Sequence, residues 1–256
     1  MRQALNRVPR VTVDFWLIKL MAVTMGETAA DYLAVNMGLG LTATSVIMTA
    51  ILAGAIVLQF LQKRYVPWIY WWVVVLVSIV GTLVTDNLTD NFGVPLKVST
   101  IAFSVGLILT FIVWKAREGT LSIHSITTDR REAFYWLAIL LTFALGTAIG
   151  DLLAEVFGFG YVTTGLIFLG VICVVTFTYY ALNASAVLSF WLAYIFTRPL
   201  GASLGDYLSQ PVEYGGLGLG TVYTSLLFLI VIAVTVVYMT IRYEAELTEG
   251  QEEWPA

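Results

Sequence analysis

The apolar and polar positions of this chain fall into long hydrophobic runs separated by short, often glycine-bearing turns. Runs long enough to cross a bilayer, about 20 residues each, lie at 15–35, 40–62, 68–89, 95–115, 133–156, 161–181, 186–208 and 217–241. None shows the period of two that a membrane barrel strand requires. The expected fold is all-α: a polytopic membrane protein of eight transmembrane helices, a single membrane domain over residues 1–256.

The runs also repeat. Trp16, Trp71, Trp136 and Trp191 each stand ten residues before a glycine: Gly26, Gly81, Gly146 and Gly201. Five residues after each glycine comes an aspartate: Asp31, Asp86, Asp151 and Asp206. The pattern W-x9-G-x4-D-x-L thus occurs four times, with 55, 65 and 55 residues between tryptophans and a half-to-half repeat of 120. Internal repeats are expected over about 15–62, 68–115, 133–181 and 186–241, giving two pseudo-symmetric halves. Each unit contributes two spans, so successive units enter the membrane in the same direction. The repeats are parallel, related by an axis along the membrane normal. A straight helix places each aspartate roughly 22 Å beyond its tryptophan, so four aspartates come to one depth around a shared axis.

On Trp16, Trp71, Trp136 and Trp191, and over Phe15 to Tyr238, the chain resembles an uncharacterised bacterial membrane-protein family. That family is built from four tandem repeats, each with two transmembrane regions and a tryptophan. The resemblance implies the architecture and no mechanism.

Charge then orients the spans. With a cytoplasmic N-terminus, Arg2, Arg7, Arg10, Lys63, Arg64, Lys115, Arg117, Arg130, Arg131 and Arg242 all lie inside, against Lys97 outside. That bias fits the positive-inside rule and predicts a multi-pass protein of the cell (inner or plasma) membrane with both termini cytoplasmic. Charged residues make up only 12% of the chain against 59% hydrophobic, where soluble domains carry about 25% and 45–50%. This excludes a soluble enzyme, a disordered chain and a nucleic-acid binder. The expected partners are the lipid bilayer and a small cation or proton, and a homo-oligomer is left open. The single Cys173 and single His124 exclude a disulfide scaffold and a zinc module. Glu244, Glu246, Glu249, Glu252 and Glu253 form an acidic tail. No phosphate-binding loop, zinc-protease helix or nucleophile elbow occurs, so neither an enzyme nor a resident cofactor is expected.

The remaining charges lie inside spans. An ionised Asp near the bilayer centre costs about 2.5–3.5 kcal/mol, and four exposed to lipid would cost on the order of 10 kcal/mol. They must face the bundle interior or water, be protonated, or be paired. Glu27, four residues before Asp31, adds a fifth carboxylate on the same helical face. The set Glu27, Asp31, Asp86, Asp151 and Asp206 is the candidate ion site, with Asp90 and Glu155 extending it outward. Such oxygen ligands suit hard cations: Mg²⁺, Mn²⁺, Ca²⁺, Na⁺ or H⁺. Lys19 and Arg198 are the candidate charge partners or gate, with snorkelling toward the inner interface as the alternative. The repeat glycines are expected to serve close helix packing, and the tryptophans to anchor at the interface.

These residues point to a secondary transporter or facilitator of a small hard cation of the Mn²⁺/Mg²⁺ class or Na⁺, coupled to protons through the carboxylates. The alternatives are a proton-coupled carrier of a small organic solute and a non-transporting assembly or sensor protein with the acids as interhelical glue.

Overall fold

In the computed structural model, residues 6–252 are described, with side chains through residue 245. Arg2 and Glu253 lie outside the described residues, as do the side chains of Glu246, Glu249 and Glu252. The described chain is helical with no strand: α1 (Val13–Asp31), α2 (Leu41–Leu61), α3 (Pro67–Asp86), α4 (Leu96–Glu118), α5 (Asp129–Asp151), α6 (Gly160–Leu182), α7 (Ala186–Ser209) and α8 (Thr221–Glu252). Starts and stops follow local chemistry. The Thr12 and Thr128 hydroxyls accept from the backbone N–H of Phe15 and Arg131, and Pro67 opens α3. Between α1 and α2, Gly38 and Gly40 both take positive φ, which a residue with a Cβ adopts only under strain.

Seven of the eight helices are long and apolar enough to cross a membrane. The exception is α1, which carries Asp14, Lys19, Glu27 and Asp31. The outer surface is apolar: Ile51, Ile101, Leu166 and Leu227, from α2, α4, α6 and α8, are all exposed. An apolar skin on every side, over a core holding the charges, is the arrangement of a multi-pass membrane protein.

The helices form two concentric layers. The tryptophan-bearing helices α1, α3, α5 and α7 pack in a closed inner ring, α1 on α3, α3 on α5, α5 on α7 and α7 back on α1. Each outer helix packs chiefly on the inner helix of the following repeat: α2 on α3, α4 on α5, α6 on α7, with α8 closing the circle on α1.

Glycine makes the inner ring possible. A Cβ on Gly26 would fall 2.0 Å from Ser78 Oγ, on Gly81 2.6 Å from Phe143 Cβ, on Gly146 2.1 Å from Arg198 Cγ and on Gly201 2.5 Å from Val23 Cγ1. In every case the intruding residue stands three positions before the glycine of the next repeat. One contact is therefore used four times around the ring, and the packing role expected for these glycines is what the structure shows.

The tryptophans depart from expectation. Trp71, Trp136 and Trp191 are buried, and only Trp16 is partly exposed. Each repeat carries an aromatic residue directly before its tryptophan: Phe15, Tyr70, Tyr135 and Phe190. These rings meet the next repeat's tryptophan, Phe15 on Trp71 at 5.6 Å, Tyr70 on Trp136 at 5.5 Å, Tyr135 on Trp191 at 6.3 Å and Phe190 on Trp16 at 5.7 Å. The indole N–H groups of Trp71, Trp136 and Trp191 are satisfied internally, by the Tyr65 hydroxyl, the Glu132 carboxylate and the Leu121 carbonyl. The tryptophans thus build an aromatic collar that closes one end of the ring. An interfacial anchor needs its polar edge in water, and these edges are turned inward.

Candidate functional site

Equivalent residues of the four repeats stack in layers along the inner helices, four positions and about 6 Å per step. The collar layer (Phe15, Tyr70, Tyr135, Phe190) comes first. A second layer holds Lys19, Val74, Ile139 and Tyr194, a third Val23, Ser78, Phe143 and Arg198, and a fourth Glu27, Thr82, Thr147 and Ala202. The aspartates Asp31, Asp86, Asp151 and Asp206 form the fifth. All residues of the first four layers are buried, whereas all four aspartates are partly accessible. The axial core is shut at the tryptophan end and open at the aspartate end.

Arg198 is the centre of the stack. It is fully buried, and its Nη2 donates to Glu27 Oε2 and to Thr147 Oγ1, each at 2.7 Å, with Thr82 Oγ1 also in contact. Glu27, Thr82 and Thr147 are the residues that follow the repeat glycine in the first three units. The fourth unit has Ala202 there, which leaves room under the guanidinium. Arg198 is therefore an ion-pair partner inside the ring, and the snorkelling alternative fails for it.

Lys19 does not snorkel either, although its partner is a carbonyl and not a carboxylate. Its side chain is fully buried, with Nζ donating to the Tyr194 carbonyl at 2.7 Å and standing 4.3 Å from the centre of the Tyr194 ring. The Phe143 ring lies near both basic side chains, 5.8 Å from Lys19 Nζ and 5.6 Å from Arg198 Cζ. Contacts of this kind favour a cation held away from water. A lysine cannot snorkel when an aromatic collar separates it from the nearer surface.

The five candidate carboxylates divide into two groups. Glu27, Asp151 and Asp206 each present an oxygen within 4.8 Å of the others. One cation with metal–oxygen distances of about 2.4–2.6 Å can bridge the full span, and shorter bonds require the oxygens to draw in. Asp31 and Asp86 stand outside that trio. Asp31 Oδ2 accepts from Gln210 Nε2 at 3.4 Å, and Asp86 lies within electrostatic range of Glu27, Asp151, Asp31 and Asp90. Asp90 and Glu155 are exposed farther out.

The backbone at this layer has no signal in the sequence. Asp31, Asp86 and Asp151 are each the last residue of an α-helix that continues as one π-helical turn, over Tyr32–Asn36, Asn87–Asn91 and Leu152–Val156. The widened turns are closed by bonds from Met37, Phe92 and Phe157 to carbonyls five residues back. Such turns are frequent at functional sites. The fourth repeat has none. Pro211 lacks the N–H that a further turn would use, and α7 stops at Ser209. The following loop turns back instead, with Leu217, Leu219 and Gly220 donating to the carbonyls of Tyr207, Leu208 and Ser209.

A second polar cluster was also unforeseen. At the tryptophan end, Glu132 is fully buried and accepts from Arg7 at 2.6 Å, Gln59 at 2.8 Å and Trp136 at 3.4 Å. Arg7 also pairs with Asp129 at 2.5 Å. It ties the segment before α1 to α5 and closes the base of the collar. The signal in the sequence was Glu132 itself, four residues before a repeat tryptophan.

No curated protein and no solved structure matches the chain. A family described as a repeat of unknown function, DUF347, matches it four times in tandem, over residues 15–65, 69–120, 134–185 and 189–243. These matches cover most of the chain and coincide with the four ring units, so the protein belongs to that family.

Proposed function

We propose that the chain crosses the cytoplasmic membrane eight times with both termini cytoplasmic, and that it carries a small hard cation, Mn²⁺ or Mg²⁺ before Na⁺, in exchange for protons. The eighth crossing is α1. Its place in the inner ring is equivalent to those of α3, α5 and α7, where a helix is shielded from lipid and can carry charge. The bias of the basic loop residues supports an orientation with the aspartate end outside.

The observation that carries the cation reading is the trio Glu27, Asp151 and Asp206, with oxygens within 4.8 Å, at the floor of an accessible four-aspartate layer. A cation arriving from the aspartate end meets only oxygen ligands. An anionic solute would have to pass four carboxylates to reach Arg198 or Lys19, which counts against the organic-solute alternative. Glue between helices explains neither the accessibility of the layer nor the repeated π turns beneath its rim. Transport requires the ring to open at the collar, by rocking of one half against the other.

The test is uptake of Mn²⁺ or Mg²⁺ into proteoliposomes, with a pH dye reporting proton movement. Asp151→Asn with Asp206→Asn is expected to abolish uptake while the protein remains extractable and monodisperse. Full uptake by that double variant, or no cation movement by the wild type, would sink the reading.

A further inference from the structure

Arg198 is bonded in an uneven way. A guanidinium has five N–H donors. Nη2, with two of them, is shared among Glu27, Thr82 and Thr147. Nε and Nη1, with the other three, have no hydrogen-bond partner among the described residues although the side chain is fully buried. Buried donors are ordinarily paired. Acceptors are gathered in the layer above, where Asp151 and Asp206 offer oxygens within 4.8 Å of the Glu27 carboxylate that Arg198 holds, and Asp151 lies within electrostatic range of Arg198.

The repeat shows that packing does not require this charge. The position three before the glycine is Val23, Ser78 and Phe143 in the other three units, and each fills its glycine notch without a cation. What Arg198 adds is a positive group on a flexible stem, at the place where three carboxylates converge. We propose that Arg198 is a tethered competitor for the transported cation: it neutralises Glu27 when the site holds no cargo, and an arriving cation displaces it. Displaced, the guanidinium keeps the Thr82 and Thr147 hydroxyls and the face of Phe143. Return of Arg198 to Glu27 then lets the unloaded ring close without a bare carboxylate on its axis.

This inference rests on the cation reading, and one experiment separates the two. Full-length protein in lipid nanodiscs is titrated calorimetrically with MnCl₂ and with MgCl₂. Arg198→Gln is expected to bind at least about tenfold more tightly than wild type. Thr147→Val, which loosens Arg198 while keeping its charge, is expected to lie between them. Unchanged or weaker binding by a folded Arg198→Gln overturns the competitor role alone. If Arg198→Gln does not fold, Thr147→Val decides: tighter binding supports the role, and equal or weaker binding overturns it. Binding by neither wild type nor variants overturns the cation reading and this inference together.

Discussion

Glu27 and Arg198 are 171 residues apart in sequence, and in the folded ring their side chains meet at 2.7 Å. The pair joins the first inner helix to the last, its neighbour in the closed ring, and its charges are removed from water. Taking two charges out of water is costly, and their attraction offsets that cost only with good geometry and further hydrogen bonds.

Removing one partner of this pair strands the other. Glu27→Gln is expected to lower stability by about 3–5 kcal/mol. The double variant Glu27→Gln with Arg198→Gln should recover part of that loss. Thermal unfolding in detergent across the four-member cycle measures it, and additive effects would show that the ion pair is not coupled.

The glycine notches predict a contrast between positions. Gly81→Ala and Gly146→Ala push a methyl group into the next helix and should destabilise by about 1–3 kcal/mol. Gly54 and Gly170, on the outer helices, have open space where a Cβ would go. Alanine there should be neutral or stabilising by up to about 1 kcal/mol. Equal effects at both kinds of site, in the same unfolding assay, would contradict the close packing of the ring.

The collar predicts which tryptophans matter. Trp71→Ala should cost about 3–5 kcal/mol, because the ring is buried among aromatic neighbours. Trp68 is 54% exposed on the outer face of α3, and its replacement by alanine should change the unfolding temperature little. The reverse ranking would mean that the tryptophans act at the lipid interface after all.

Accessibility should change sharply between the fourth and fifth axial layers. In a background with the sole Cys173 replaced by serine, Asp31→Cys and Asp86→Cys should react with a membrane-impermeant maleimide. Thr147→Cys and Ser78→Cys should not. Fast labelling of Thr147→Cys would place the closed section of the axis elsewhere.

The repeat, its register and its polarity were legible in the sequence because Trp, Gly and Asp recur at fixed spacing and each stands out in an apolar run. Relationships between distant helices were hidden, two of them above all. The first was the partner of each outer helix, since hairpin connection suggests packing on the preceding helix, whereas α2 packs on α3 and α8 returns to α1. The second was the meeting of Lys19, Phe143, Tyr194 and Arg198, which come from three different helices and share no local motif. The tryptophans misled because Trp near a membrane surface is usually an anchor. The aromatic residue directly before each was the available clue to a collar. The π turns had no propensity signal at all, and Pro211 marks the copy that lacks one.

Linking the four hairpins into one polypeptide has a consequence for what the axis can hold. Were the ring assembled from four identical subunits, an arginine at the position of Arg198 would appear four times around a space that accommodates one. Four guanidiniums would repel one another there and would face four copies of a single fourth-layer residue. A covalently joined chain can vary each copy separately, so one lysine, one arginine and one glutamate can be set against neutral neighbours at the same level. The single lysine, glutamate and arginine of the core are thus accessible only to the fused form, whereas the aspartate layer would survive in a ring of four identical repeats.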